Sequence, residues 1–109
     1  MRLKARTDAN HSEVVKALRD AGCSVQSLAA TGCGVPDLLV GRDGKNLLLE
    51  IKDGSKRPSE RKLTPDQENW HSAWRGQIHV VNNPDEALEL VINGESLKHT
   101  ETEFQDKVR

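Results

Sequence analysis

The sequence predicts a single α/β domain in which helices cover both faces of a mixed β-sheet. A chain of 109 residues suits one domain. Asp43-Gly44 joins two apolar runs, and this dipeptide favours a two-residue β-hairpin because both positions of a type I′ turn need positive φ. A segment with a helix-capping pattern, 64–75, separates the second run from another apolar run at 78–82. Such a crossover places the two flanking strands parallel.

The N-terminal elements are a helix and a strand. Asp8 or Asn10 can cap a helix that runs to about Ala21, where Gly22 stops it. The apolar positions of this segment recur at helical spacing: Val14, Val15, Leu18 and Ala21. The stretch CSVQSLAA, 23–30, is the predicted first strand, and a loop containing glycine follows it.

Two more strands, 35–40 and 47–52, lie close enough to the first to form an antiparallel meander. Thr64 can cap the following helix, and Gln67 completes a capping box with it. Gly76 is expected to end that helix.

The last predicted elements are a strand at 78–82 and a helix from the cap Asn83 to about Val91. The complete order is helix, three strands, helix, strand, helix. The domain is therefore expected to span 1–92, followed by a polar C-terminal tail at 93–109.

The charges of the chain are unevenly distributed. The formal net charge of −1 gives no indication of a polyanionic partner. However, the segment 52–62 holds five basic residues and two acids, and further basic residues open the chain. This clustering suits a polyanion, although a solvated loop and a frayed terminus account for the same charges.

The cysteines and the hydropathy exclude two classes of protein. Cys23 and Cys33 lack the spacing of a structural zinc site, so we expect two small buried thiols. No apolar run is long enough to cross a membrane, and no signal peptide is recognisable. A cytoplasmic protein without a membrane partner is therefore expected.

The predicted hairpin places two acids opposite each other. With Asp43-Gly44 at its tip, Asp37 faces Glu50 across the strands, with Cβ atoms about 4.5–5.5 Å apart. Lys52 projects from the same face because side chains alternate along a strand. At about 5 Å the two carboxylates repel each other by roughly 1 kcal/mol in water and about 3 kcal/mol at an effective dielectric constant of 20.

A divalent cation between the acids would remove this repulsion. Carboxylate ligands suit Mg²⁺ or Mn²⁺ better than zinc. With a lysine beside it, such a metal suits phosphoryl chemistry, since it can activate water while the ammonium stabilises developing negative charge. Protonation of one acid or pairing with cations are alternatives. An E-x-K strand can also be a wet surface, and a longer hairpin loop would separate the acids.

The central motif resembles the PD-(D/E)XK nuclease superfamily, with Pro36-Asp37, a spacer and Glu50-x-Lys52. The wider pattern resembles the virus-type replication-repair nuclease (VRR-NUC) domain, through the stretches SEVVKALRDAG, GVPDLLVG, LLLEIKDG, KLTPDQENWHSAWRGQIHVV and PDEALELV. The first helix and the hairpin are also similar to the archaeal Holliday junction resolvases. The resemblance covers about 10–92 and implies a restriction-endonuclease-like core.

The resemblance implies a role for each matching residue. Asp37 and Glu50 would be metal ligands together with the backbone carbonyl of Ile51, and Lys52 would be the catalytic lysine. Glu13 matches an acid of the first helix that lies near the site in this family and can contact the metal through water.

Five further side chains have simpler structural explanations. Gln67 matches a glutamine that often follows the E-x-K strand, but the capping box accounts for it equally well. Trp70 and Trp74 are expected in the core rather than as platforms for bases. His71 and His79 receive no role.

The resemblance implies a magnesium-dependent DNA endonuclease, with Mn²⁺ as a substitute metal. One site cuts one strand, so symmetric cleavage of a four-way junction would require a homodimer. Stand-alone domains of this kind are common in phages, so a bacterial or phage-infected cell is expected. A non-specific or nicking nuclease, a non-catalytic nucleic-acid-binding module and an ordinary α/β scaffold are the alternatives. The candidates for DNA backbone contacts are Lys4, Arg6, Lys56, Arg57, Arg61 and Lys62.

Overall fold

A computed structural model describes residues 9–93 of the chain. Lys4, Arg6 and residues 94–109 of the predicted tail therefore lie outside the described residues. The helices are α1 (Ala9–Asp20), α2 (Pro65–Ala73) and α3, which is described over 84–93. The strands are β1 (Ser24–Ser27), β2 (Leu38–Arg42), β3 (Lys45–Ile51) and β4 (Ile78–Val81), and a short 3₁₀ turn covers Pro58–Glu60.

The strands form one mixed sheet in the order β1-β2-β3-β4. The pairs β1–β2 and β2–β3 are antiparallel, and β3–β4 is parallel. The α2 helix lies between β3 and β4 in the chain, as a crossover between parallel strands requires. The predicted meander, crossover and element order are confirmed.

The hairpin between β2 and β3 has the predicted register. Asp43 and Gly44 adopt positive φ values of 46° and 78°, which a type I′ turn needs. The pairing runs from Arg42 opposite Lys45 to Leu38 opposite Leu49. Asp37 is the residue before β2, and it is the next position in this register, opposite Glu50.

The two faces of the sheet have different partners. Apolar side chains from β2, β3 and β4 form the buried core with α1 and α3, and its members are Val14, Leu18, Cys23, Leu38, Val40, Leu49, Val81 and Ala87. Because side chains alternate, Leu39, Leu48 and Glu50 point to the opposite face, towards α2. No residue of α2 is itself fully buried. No helix within residues 9–93 is long and apolar enough to span a membrane.

Several local expectations were wrong. Of the two candidate caps of α1, Asp8 lies outside the described residues, and Asn10 lies inside the first turn, since the helix already includes Ala9. The α2 helix ends at Ala73, before Gly76, because Trp74 turns to an extended conformation. Cys33 is exposed rather than buried, in a turn where it has a positive φ of 54°.

The strand boundaries also differ from those expected. The second strand begins at Leu38 instead of 35, after a loop that includes Gly34 at φ +86° and the buried Pro36. The third strand ends at Ile51, so Lys52 follows the strand directly, although its backbone N–H still donates to the carbonyl of Val81 at 2.9 Å.

Gly34 brings the loop before β2 into contact with the start of α2. A Cβ at this position would overlap the backbone carbonyl of Asp66 and lie 3.2 Å from the backbone nitrogen of Gln67. The positive φ of Gly34 adds a second reason for glycine. This close approach fixes the distance between the first turn of α2 and the loop that carries Asp37.

Replacing Gly34 by alanine should destabilise the protein more than replacing Gly32. Both glycines have positive φ, but a Cβ at Gly32 would meet no atom within 4 Å. The backbone strain alone should cost about 1–2 kcal/mol in each variant. The overlap in Gly34→Ala should add about 1–3 kcal/mol. Urea denaturation measures both losses, and equal losses would contradict the proposed contact between the loop and α2.

Candidate active site

Glu50 is a buried charged residue on the α2 face of the sheet. It lies near the end of β3 and is 2% exposed. Burial of this carboxyl, and then the negative charge of Asp37, raise its pKa to about 8, while the charge of Lys52 acts in the opposite direction. Without a metal ion, Glu50 is therefore mostly protonated at neutral pH.

Asp37 is held beside Glu50 by the backbone of the neighbouring strand. Its Oδ2 accepts a hydrogen bond of 2.7 Å from the N–H of Ile51. Its own carbonyl accepts a hydrogen bond of 2.7 Å from Leu28. These contacts fix both ends of the residue, so its carboxylate cannot rotate away from Glu50 without losing a hydrogen bond.

Gln67 connects the acid with the lysine. Its Nε2 donates to Glu50 Oε2 at 3.0 Å, and its Oε1 accepts from Lys52 Nζ at 2.9 Å. The direct distance from Lys52 Nζ to Glu50 Oε2 is 3.8 Å. Gln67 also forms both halves of the predicted capping box with Thr64. Gln67 therefore caps the helix and contacts Glu50 and Lys52 at the same time.

Asn10 holds the ends of two strands, a contact that sequence reasoning missed. Its Nδ2 donates to the carbonyl of Lys52 at 2.7 Å and to that of Asn82 at 3.3 Å. The signal was present, because Asn10 lies four residues before the buried Val14 and therefore on the same face of α1.

His71 is a second residue that sequence reasoning missed. It lies four residues after Gln67, and its side chain is 12% exposed. Its Nε2 lies 3.9 Å from Glu50 Oε1, and both atoms are buried without a hydrogen-bond partner. Burial, and then the charge of Lys52, lower the pKa of this imidazole, so it is uncharged at neutral pH.

Glu13 has no described contact with the acids. It is exposed on α1, one turn after Asn10. Within residues 10–93, no group of three or more His, Cys, Asp or Glu side chains has a geometry that could hold a metal ion. A proposed donor set is therefore limited to the oxygens of Asp37, Glu50 and the Ile51 carbonyl. Such oxygen donors, together with the unpartnered Glu50 Oε1, fit Mg²⁺ or Mn²⁺.

The basic loop begins directly after Lys52. Arg57 pairs with Glu60 at 3.0 Å, and the Nε of Arg61 donates to the carbonyl of Lys56 at 2.8 Å. Lys56 and Lys62 are exposed. Of the four loop residues predicted to contact DNA, Arg57 and Arg61 therefore also bind other residues of the same loop.

Trp70 of α2 and Trp74, which follows the helix as its C-cap, do not lie in the buried core. The rings of Trp70 and Trp74 stack with centroids 4.7 Å apart, and Trp74 is 46% exposed. With Leu28, Val35, Leu39, Leu47 and Leu48 they line an apolar cavity of about 370 Å³. The expectation of core tryptophans was wrong because Trp70 is only half-buried and Trp74 is exposed, so neither ring is enclosed by the sheet.

Comparison with protein families gave one decisive match. The family model described as the archaeal Holliday junction resolvase (Hjc) matches residues 3–107. The chain belongs to the archaeal Holliday junction resolvase family. A solved structure described as a VRR_NUC domain superposes on it with a TM-score of 0.57 and 26% sequence identity, over 77% of this chain and 96% of that chain. A search of curated proteins found no significant match.

Both matches are nuclease families of the PD-(D/E)XK type. These matches confirm the family resemblance that the sequence indicated. They also confirm the predicted restriction-endonuclease-like α/β fold of this Holliday junction resolvase family member. The roles of the individual site residues stay predictions, and so does the boundary between the domain and the tail.

The metal-free protein should lose stability as the pH rises from 5 to 8. The pKa of Glu50 is raised from an ordinary 4.5 to about 8, so between these values the folded state binds more protons than the unfolded state. The stability that this extra proton provides is fully present below pH 4.5 and is lost as the pH rises through about 8. The free energy of unfolding should fall by at most about 1.4 kcal/mol per pH unit.

Urea denaturation in the presence of a chelator measures this slope. Glu50→Gln should lack that part of it, because an amide does not titrate. Added Mg²⁺ should restore stability at pH 8, where about half of the Glu50 carboxyl groups are ionised. Identical pH profiles of the wild type and Glu50→Gln would contradict the raised pKa.

Proposed function

We propose that the protein is a divalent-metal-dependent endonuclease that cuts branched DNA, in particular four-way junctions. One observation carries the proposal. The buried carboxyl of Glu50 lies beside Asp37, and Gln67 connects it to the ammonium of Lys52. An acid pair of this kind is poorly tolerated without a cation, and the nuclease family of the chain supports a phosphodiester substrate.

Asp37 and Glu50 would hold Mg²⁺ or Mn²⁺, together with the backbone carbonyl of Ile51. When bound, this cation would place positive charge beside the scissile phosphate and make the attacking water more acidic. The N–H of Ile51 keeps the Asp37 carboxylate in place. Gln67 does the same for one oxygen of Glu50.

Lys52 would act on the reacting atoms. An ammonium group has three donors, and Gln67 accepts one of them at 2.9 Å. A remaining donor can orient the attacking water or stabilise the negative charge that develops on the phosphate. The water oxygen bonds to phosphorus and loses its proton, the bond to the 3′ oxygen breaks, and that oxygen is protonated. The products are a 5′-phosphate and a 3′-hydroxyl.

The loop after Lys52 would bind the DNA backbone. Its exposed lysines, Lys56 and Lys62, follow the site closely in the chain. Contacts from such side chains to phosphates fix the position of a duplex without reading its sequence. Lys4 and Arg6 are proposed to contribute in the same way.

Selection of four-way junctions would follow from a twofold arrangement. The described part of each chain holds one such acid pair, which can cut one strand at a time. Symmetric cuts in the two strands of a junction require two copies, so we propose a homodimer. The description of the matching family as a Holliday junction resolvase supports this substrate.

Asp37→Asn should abolish cleavage but leave DNA binding intact. The amide oxygen can still accept the hydrogen bond from Ile51, so the fold is retained while a charged metal ligand is lost. The loss of metal assistance should lower the cleavage rate by about 10³-fold or more. The test compares labelled four-way junction, splayed arm and linear duplex with Mg²⁺, in gel assays of cleavage and of binding.

Asp43→Asn is the matched control for this variant, because Asp43 lies at the hairpin tip with its side chain 81% exposed. It should cut like the wild type. Retained cleavage by Asp37→Asn would refute the metal site. If the wild type cuts linear duplex and four-way junction equally well, the protein is a nuclease but does not select branched DNA.

Lys62→Ala should weaken binding of all DNA substrates to a similar extent. Loss of one phosphate contact should reduce the slope of log affinity against log salt by about 1. Fluorescence anisotropy at several salt concentrations, in the Asp37→Asn background, measures this slope. Lys16→Ala, which removes an exposed lysine paired with Asp20 on α1, should leave it unchanged. Equal slopes in both variants would exclude Lys62 from the DNA-binding surface.

A further inference from the structure

We propose that His71 is a positioning residue for Glu50, holding one oxygen of its carboxylate while Gln67 holds the other. The inference rests on the proposed function, because it matters only if Glu50 binds a metal ion. It concerns a residue to which neither the sequence pattern nor the family match assigns a role.

The first argument is the pair of unpartnered atoms. His71 Nε2 and Glu50 Oε1 are both buried, and neither has a hydrogen-bond partner. Buried polar atoms in folded proteins nearly always have one. The two atoms are 3.9 Å apart, so a shift of about 1 Å would bring them within hydrogen-bond range. Contacts of this kind are often long in a free enzyme and tighten when the site is loaded.

The second argument is the spacing along α2. Gln67 and His71 are four residues apart, so they lie on the same face of the helix in successive turns. Gln67 already donates to Glu50 Oε2 at 3.0 Å. With a proton on its Nε2, His71 is placed to donate to the other oxygen. The two donors together would fix the rotation of the carboxylate and direct its free lone pairs towards Asp37.

The third argument separates positioning from direct ligation. Within residues 10–93, Asp37, Glu50 and His71 do not form a group with metal-holding geometry. The imidazole is therefore better placed behind the carboxylate than beside the metal. Partners of this kind orient a ligand, and their removal typically costs about 10–100-fold in metal affinity.

The experiment compares His71→Leu with His71→Gln. Leucine removes the donor, whereas the Nε2 of glutamine can replace it at a similar distance from the backbone. Asn69→Leu, an exposed position of the same helix, is the matched control. The readouts are Mn²⁺ affinity from the electron paramagnetic resonance signal of free Mn²⁺, the melting temperature of the metal-free protein, and nitrogen coupling to bound Mn²⁺.

We expect His71→Leu to weaken Mn²⁺ binding by about 10–100-fold. His71→Gln should recover most of the affinity, and Asn69→Leu should match the wild type. The melting temperature of metal-free His71→Leu should not fall, because the lost contact is not formed without the metal. The wild type should show no nitrogen coupling from a directly bound imidazole.

Wild-type affinity in His71→Leu would overturn the inference, as would equal losses in His71→Leu and His71→Gln. Nitrogen coupling that disappears in His71→Leu would make His71 a direct ligand instead. If the wild type binds no Mn²⁺ and cuts no DNA, the proposed function itself fails. If the wild type does both and the His71 variants bind Mn²⁺ as tightly as the wild type, the nuclease proposal stands and this inference alone is refuted.

Discussion

The carboxyl groups of Asp37 and Glu50 lie side by side on the α2 face of the sheet, where Glu50 is buried, and the contacts of the neighbouring residues hold them there. The hairpin register places them opposite each other, and the N–H of Ile51 keeps the first one in place. Burial and mutual repulsion then raise the pKa of Glu50 to about 8. Without a cation, the folded protein avoids two adjacent negative charges by keeping a proton on one of them.

The α2 helix is coupled to this pair through polar contacts rather than through a buried apolar stripe. None of its residues is fully buried, yet Gln67 contacts Glu50, Lys52 and the cap Thr64. Gly34 brings the loop before β2 against the same turn of the helix. The position of the helix and the geometry of the acids therefore depend on each other. A change in either one alters the distance between the lysine and the carboxylates.

One face of the sheet carries the apolar core that stabilises the fold, and the other face carries the candidate active site. The core against α1 and α3 is apolar and closely packed, and it includes the fully buried Leu18, Leu38 and Leu49. The α2 face holds the titratable groups and an apolar cavity lined by tryptophans. Asn10 links the two sides, since it starts on the core helix and bonds to the carbonyl of Lys52. The rigid core thus holds the strand ends on which the site is built.

The sequence by itself determined the features that depend on neighbouring residues. The positive φ values of Asp43-Gly44 set the hairpin register, and Thr64 with Gln67 set the start of α2, because turns and caps are local hydrogen-bonding patterns. The meander and the crossover followed from short connections. Only the tertiary structure decided which polar residues are buried. Asn10 and His71 meet the C-terminal end of β3 from segments distant in the chain, and Trp74 and Cys33 are exposed to solvent. Burial, and the pKa shifts it causes, is a property of elements packed together, and no pattern within one element specifies it.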